Sequence, residues 1–249
     1  MQVSSLVRKS RNLARRAIGL PVLNYQVLGE RCSGTNFLDQ LILQNFTHAR
    51  PRYEMWKHAF PNFIAAPSDV VFVVIFREPY GWLESMYGKP WHSRPELRAL
   101  AFSDFIRSEW QSIVDVPQWF DLPRSSPAEN QPLNQDLHPI TGRPFANLLD
   151  LRRAKAEALL SLPLRGAKVV FTTHDEVSTS PETIIARLAE ISPVHPHPDL
   201  KVPKGHFGWS WSDRNVKPKT PGSLISAEDR SWIASQLDPA LEAAMGLPL

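Results

Sequence analysis

Cysteine is almost missing from this chain of 249 residues. Its one thiol, Cys32, rules out an internal disulfide and is compatible with a reducing compartment. No apolar run approaches the ~18 residues that a membrane-spanning helix needs, and the start has neither the apolar stretch nor the small-residue cleavage site of a secretory signal. These absences predict a soluble, unexported, cytoplasmic protein. A basic stripe across the body is missing as well. Arg8, Lys9, Arg11, Arg15 and Arg16 lie in a leader with no acid before Glu30, and removing those five charges from the formal +3 leaves −2. That balance argues against a nucleic-acid partner, which calls for basic charge over the domain itself.

Apolar residues make up 43% of the chain, enough for a substantial core. The pattern predicts a basic leader over 1–22 and a single domain over 23–249. In the leader, Val3, Leu6, Val7, Leu13, Ala14, Ala17 and Ile18 recur at helical spacing with the basic residues mostly opposite, and Gly19 and Pro21 stop the helix. Three readings fit: a helix docked on its own domain, a peripheral contact with an anionic membrane surface, or an organelle transit peptide.

From Leu23 the pattern turns to alternation through Tyr25 and Val27 into Gly29, and then to helical spacing at Phe37, Leu38, Leu41 and Ile42. This reads as strand, glycine turn, helix. Val70 to Phe76, an unbroken β-branched and aromatic run, predicts a central parallel strand covered on both faces. Ala167 to Thr173 predicts a third strand. Ser180 then suits a helix cap, Pro181 the first helical position, and Ile184, Ile185, Leu188 and Ile191 a buried stripe. Strands alternating with helices predict an α/β domain with a parallel sheet. Pro117, Pro123, Pro127, Pro132, Pro139 and Pro144 mark an insertion at about 117–146 that no long element fits, either a disordered stretch or a functional wall or lid.

Gly29 to Asn36 reads G-x-x-x-x-G-T-N, one step from the pattern G-x-x-x-x-G-K-[ST] of phosphate loops. Such a turn aims backbone amides and a helix N-terminus at an anion. Thr35 replaces the lysine that reaches the outer phosphates, and Asn36 replaces the hydroxyl that ligates magnesium. A triphosphate would be held badly, so the loop suits one 5′-phosphate bound without a metal, with Ser33, Thr35 and Arg31 assisting. Arg77 directly follows the central strand, at the carboxyl edge where open α/β sheets bind ligands, and Ser85 falls eight residues later on the next helix. A guanidinium and a hydroxyl make a second anion site. Together the two sites ask for a ligand with two separate phosphates.

At these residues the chain resembles the sulfotransferases that use 3′-phosphoadenosine 5′-phosphosulfate (PAPS) and release the bisphosphate PAP. Glu30 to Asn36 resembles that family's 5′ loop, P-K-S-G-T-T or P-R-S-G-T-T. Arg77, Pro79 and Ser85 resemble its R-x-P motif with a serine eight residues on. His174 to Val177, with Pro181 and Glu182, resembles its Y-E-D-L segment, and Lys204 and Gly205 its late loop over the 3′-phosphate. The resemblance runs from Val27 to about Gly205 and implies a three-layer, P-loop NTPase-like fold around a central parallel sheet. It implies a PAPS site made by Arg31, Cys32, Ser33, Gly34, Thr35, Asn36, Phe37, Arg77, Ser85, Lys204 and Gly205, without a metal.

Trp56 to Pro61 reads W-K-H-A-F-P, similar to the family's K-T-H-x-P, which makes His58 the candidate base, with Lys57 and Arg31 the candidate stabilisers of charge. An imidazole titrating near neutrality suits the removal of a hydroxyl proton. Two positions depart from the pattern. Cys32 stands where relatives carry lysine or arginine, either as a reactive thiol or as a small filler, and Phe37 stands where many place a tryptophan against adenine. Trp91, His92, Trp209 and Trp211 are either acceptor-pocket or partly buried aromatics, and His195, His197 and His206 read as loop residues. The expected function is sulfuryl transfer to a hydroxyl or amine of a small molecule, lipid or glycan. The alternatives are a PAP- or PAPS-binding protein with impaired turnover, and a P-loop kinase.

Overall fold

The computed structural model describes residues 19–205, 207 and 224–247. The expected leader helix, His206, Trp209 and Trp211 lie outside them. Among the described residues, no helix is long and apolar enough to cross a membrane. The described residues pack as two compact units, each assembled from separated stretches: 19–57, 62–77, 161–205 and 207 in the first, and 58–61, 78–160 and 224–247 in the second.

The first unit is an α/β unit built on a four-stranded, all-parallel sheet in the order β2-β1-β3-β4. Its strands are β1 (Leu23–Leu28), β2 (Ala49–Pro51), β3 (Val70–Phe76) and β4 (Lys168–Thr173). Every residue of β3 is buried, as its unbroken apolar run predicts. Registers pair Val27 with Val73 and Val73 with Val170. On one face Leu23, Tyr25, Val27, Val71, Val73 and Ile75 share a core with α1 (Thr35–Asn45) and α7 (Pro181–Ile191). Each fully buried side chain of this kind stabilises the fold by roughly 1.5–3 kcal/mol.

On the other face Phe72 stacks with Phe63 at 5.3 Å. There the buried Gln26 amide is satisfied by donating to the Met55 carbonyl at 2.6 Å and accepting from Glu54 N at 2.9 Å. β4 leads directly into the short helix α6 (His174–Thr179), capped by Thr173, whose hydroxyl accepts from Glu176 N at 3.1 Å. Two sequence expectations are corrected here. Ser180 takes the cap position of α7 but makes no side-chain cap bond, and its amide closes α6 by donating to the Glu176 carbonyl at 2.8 Å. Ile191, at the end of α7, is exposed rather than buried.

The second unit is helical. It holds α2 (Pro79–Gly88), α3 (Pro95–Arg98), α4 (Phe102–Arg107), α5 (Leu148–Leu160), α8 (Ala227–Gln236) and α9 (Pro239–Ala244). Trp82, Phe105, Trp110, Phe145, Leu148 and Leu151 are fully buried in it. The proline-rich insertion forms no long element, as expected. Two single 3-10 turns, Pro117–Phe120 and Asn134–Asp136, and isolated bridges from Trp110 to Phe145 and Ile113 to Pro132 fix its course. Charges are buried here in pairs: Arg152 grips Glu242 through both guanidinium nitrogens, with Nη2 2.9 Å from Oε2.

Candidate functional site

β1 ends at Leu28 and the loop from Gly29 to Gly34 carries the chain to the start of α1. The loop crosses very close to β3: a Cβ at Gly29 would stand 2.6 Å from the Ile75 carbonyl oxygen, a distance only glycine avoids. Gly29 N donates to the Lys57 carbonyl at 3.1 Å. Ser33 closes the turn, donating to the Glu30 carbonyl from both its amide (3.2 Å) and its hydroxyl (2.6 Å). Cys32 (φ 63°) and Gly34 (φ 98°) are left-handed. Helical bonding then begins with Leu38 N donating to Gly34 O at 3.1 Å. The amides of Thr35, Asn36 and Phe37 therefore belong to the first turn, where no helical carbonyl serves them and the aligned peptide dipoles favour an anion.

Two cations converge on this loop. Arg77, the residue after β3, donates from Nη1 to the Cys32 carbonyl at 2.9 Å. Lys57 donates from Nζ to Asn36 Oδ1 at 2.5 Å, and its own carbonyl receives Gly29. Burial pushes the Lys57 ammonium below its ordinary pKa, with Asp39 opposing the shift. Lys57 thus brings a cation to the first turn of α1 from the stretch after β2.

Arg31 and Ser33, expected with Thr35 to assist in holding an anion, are both buried. The Arg31 side chain is 1% exposed, with Nη2 4.0 Å from Glu30 Oε2, and the Ser33 hydroxyl is fully buried in the turn. On either side of the left-handed Cys32 the chain turns its polar groups inward. Cys32 itself is half-buried and Thr35 is buried. Phe37 packs against the core and meets Phe207 edge to face at 6.1 Å.

Lys204 and Gly205 are exposed and lie on a strap along α1. Asn45, at the C-terminal end of α1, holds one end by exchanging two 2.8 Å hydrogen bonds with the backbone of Lys201. Asn36, in the first turn, holds the other end by donating from Nδ2 to the Phe207 carbonyl at 3.5 Å. The sequence marked Lys204 and Gly205 as part of a late loop but not its course along α1, because its anchors are two asparagines on a helix it does not adjoin in sequence.

His174 was not among the residues singled out for the site. It opens α6 directly after β4, and its Cδ2 lies 3.0 Å from where a Gly34 Cβ would stand. Burial lowers its pKa, the Arg77 charge lowers it further, and Asp175 opposes them, which favours the neutral imidazole. The strand-end rule that picks out Arg77 after β3 also picks out His174 when applied to β4.

His58 and Ser85 belong to the second unit. Ser85 is half-buried on α2, its carbonyl accepting from Lys89 N at 3.0 Å. His58 is half-buried and follows Lys57 in the chain. His92 is buried, with Nδ1 2.8 Å from Asp115 Oδ1 and its ring against Trp119 and Phe120, and Trp91 also meets Trp119. His195 and His197 lie outside helices and strands.

The donor set on the loop is first-turn amides, one guanidinium and one ammonium, which fits a multiply charged phosphate ester. Comparison of the chain with protein-family models, with curated proteins and with solved structures finds no match.

Proposed function

We propose that this protein is a PAPS-dependent sulfotransferase on a three-layer, P-loop NTPase-like fold, moving a sulfuryl group to a hydroxyl or amine of a small molecule, lipid or glycan. The observation that carries this reading is the meeting of Arg77 with the glycine loop, Nη1 to Cys32 O at 2.9 Å. An adenosine bearing phosphates at its 5′ and 3′ positions spans a pair of anion sites that near to each other. PAPS, when bound, supplies an activated sulfuryl group.

The protein's own residues hold, screen and move charge. The first-turn amides of α1 and the Lys57 ammonium bind the 5′ end. Arg77 binds the 3′-phosphate bidentately. Lys57 offsets charge on the departing oxygen, and its lowered pKa suits it to give up a proton, which an arginine does not do. His58, one residue further along the chain, takes the proton of the acceptor hydroxyl. A binding protein without turnover is the second reading, favoured by Cys32 in the position of the usual basic residue and by the burial of Arg31.

Calorimetry with PAP and with magnesium-ATP separates the nucleotide readings. PAP is expected to bind without magnesium, and Arg77→Ala to weaken it by at least about tenfold, the worth of a charge-assisted bond of roughly 1.5–3 kcal/mol. Tight ATP binding that requires magnesium, with none for PAP, would overturn the proposal in favour of a kinase. With labelled PAPS and an acceptor panel, His58→Ala should abolish transfer while PAP still binds. PAP binding without transfer by the parent chain leaves the binding-protein reading.

A further inference from the structure

The second unit buries a lysine and an aspartate that neither the fold nor the proposed chemistry requires. Lys155 on α5 and Asp136 in the proline-rich insertion are both fully buried and ion-paired through Nζ and Oδ1. Taking two such charges out of water costs several kcal/mol each, and apolar residues of the same volume are often as stabilising or more so. The pair therefore calls for a task that apolar side chains cannot perform.

That task is visible in the remaining bonds. The Lys155 ammonium also donates to the backbone carbonyl of His58 and lies 5.2 Å from the centre of the Phe60 ring. The second oxygen of Asp136 accepts from the Ser112 hydroxyl, which in turn accepts from Trp110 Nε1 at 3.2 Å, so the pair cannot swing within its site. The same turn of the insertion reaches the segment again, Gln135 O accepting from Phe60 N at 3.3 Å, and Phe60 stacks on Phe145 at 6.0 Å. The backbone of 58–60 is thus held at one carbonyl, one amide and one ring. The Lys155 ammonium, with three donors, reaches both a carboxylate and a main-chain carbonyl, which no apolar side chain can do.

We infer that the Lys155–Asp136 pair positions His58, fixing the backbone from which the imidazole projects. Lys155 and Asp136 are positioning residues, and the inference rests on His58 acting as the base in the proposed reaction. It assigns the proline-rich insertion a role: Gln135 and Asp136 anchor the segment that carries the base.

The test uses the full chain with the double substitution Lys155→Met/Asp136→Leu, which replaces the pair by apolar groups and keeps the unit packed, beside Ser112→Ala as a milder change. Four quantities are read: the melting midpoint, hydrogen exchange of the peptide covering 58–61, PAP affinity, and kcat and KM for PAPS with 4-nitrophenol as the probe acceptor. The double variant should melt near the parent and bind PAP as the parent does. Its 58–61 peptide should exchange about tenfold faster or more. Its kcat should fall about a hundredfold, the scale of an ångström-sized misplacement, with KM for PAPS unchanged. Ser112→Ala should lie between.

A stably folded double variant with parental exchange at 58–61, or with faster exchange and parental kcat, overturns the inference. If the double variant unfolds, Ser112→Ala decides by the same two readouts. Failure of the parent to bind PAP is the separate failure of the proposed function. Exchange at 58–61 then still decides whether the pair holds the segment.

Discussion

A methyl group added at Gly29 would meet a main-chain carbonyl, that of Ile75, whereas one added at Gly34 would meet the edge of the His174 ring. Backbone cannot yield, so Gly29→Ala is expected to lower stability by about 1–3 kcal/mol in urea unfolding. Gly34→Ala carries a different cost, the left-handed φ of 98°, of order 1–2 kcal/mol, together with displacement of the imidazole. Adding His174→Ala to Gly34→Ala should recover part of the loss, leaving the backbone contribution, and should do nothing for Gly29→Ala. The glycines were legible from their spacing alone. What each must avoid was not, because Ile75 and His174 reach the loop from strands far along the chain.

Helix α8 begins with a capping box, the Ser226 hydroxyl accepting from Asp229 N and the Asp229 carboxylate from Ser226 N. The same carboxylate accepts from Ser103 at 2.8 Å and from Arg107 at 2.5 Å, which joins α8 to α4. Burial pushes the Asp229 carboxyl up, but the bonds from Arg107, Ser226 and Ser103 outweigh it and bring it down to about 2. A depressed carboxylate contributes stability that is fully present above its unfolded pKa of about 3.9 and is lost as pH falls through about 2. Acid titration of stability should therefore show a falling limb between roughly pH 4 and pH 2 that Asp229→Asn flattens, with an overall drop in stability at neutral pH.

The unbroken apolar run of β3 and the helical stripe of α7 were readable because burial imprints a pattern over many residues. β2 was not, since Ala49–Pro51 is three residues long and contains proline. Nor was the burial of Arg152 and Lys155 on α5, whose partners Glu242 and Asp136 come from elsewhere in the chain.

Each unit is drawn from separated stretches of chain, so neither can be excised as one continuous piece, and tests of the nucleotide site require the whole protein. Under the proposed function, PAP at a hundred times its Kd adds about 2.7 kcal/mol to the state that binds it. For a protein of this size that corresponds to a rise of roughly 5–10 °C in the melting midpoint. Scanning calorimetry checks this, and Arg77→Ala should remove about half of the rise or more at the same PAP concentration. The parallel sheet was legible from the alternation of strand and helix patterns, whereas the division into two units was not. It depends on pairings such as Ser103 with Asp229 that carry no sequence signature.

The two outermost strands have a consequence for how the molecule behaves in concentrated solution. β2 ends in Pro51, which has no amide hydrogen to offer, and β4 opens on an exposed lysine, Lys168. A stray polypeptide seeking to extend the sheet would find an imino acid at one border and a hydrated charge at the other. Both discourage the sideways recruitment of strands from which fibrous deposits grow.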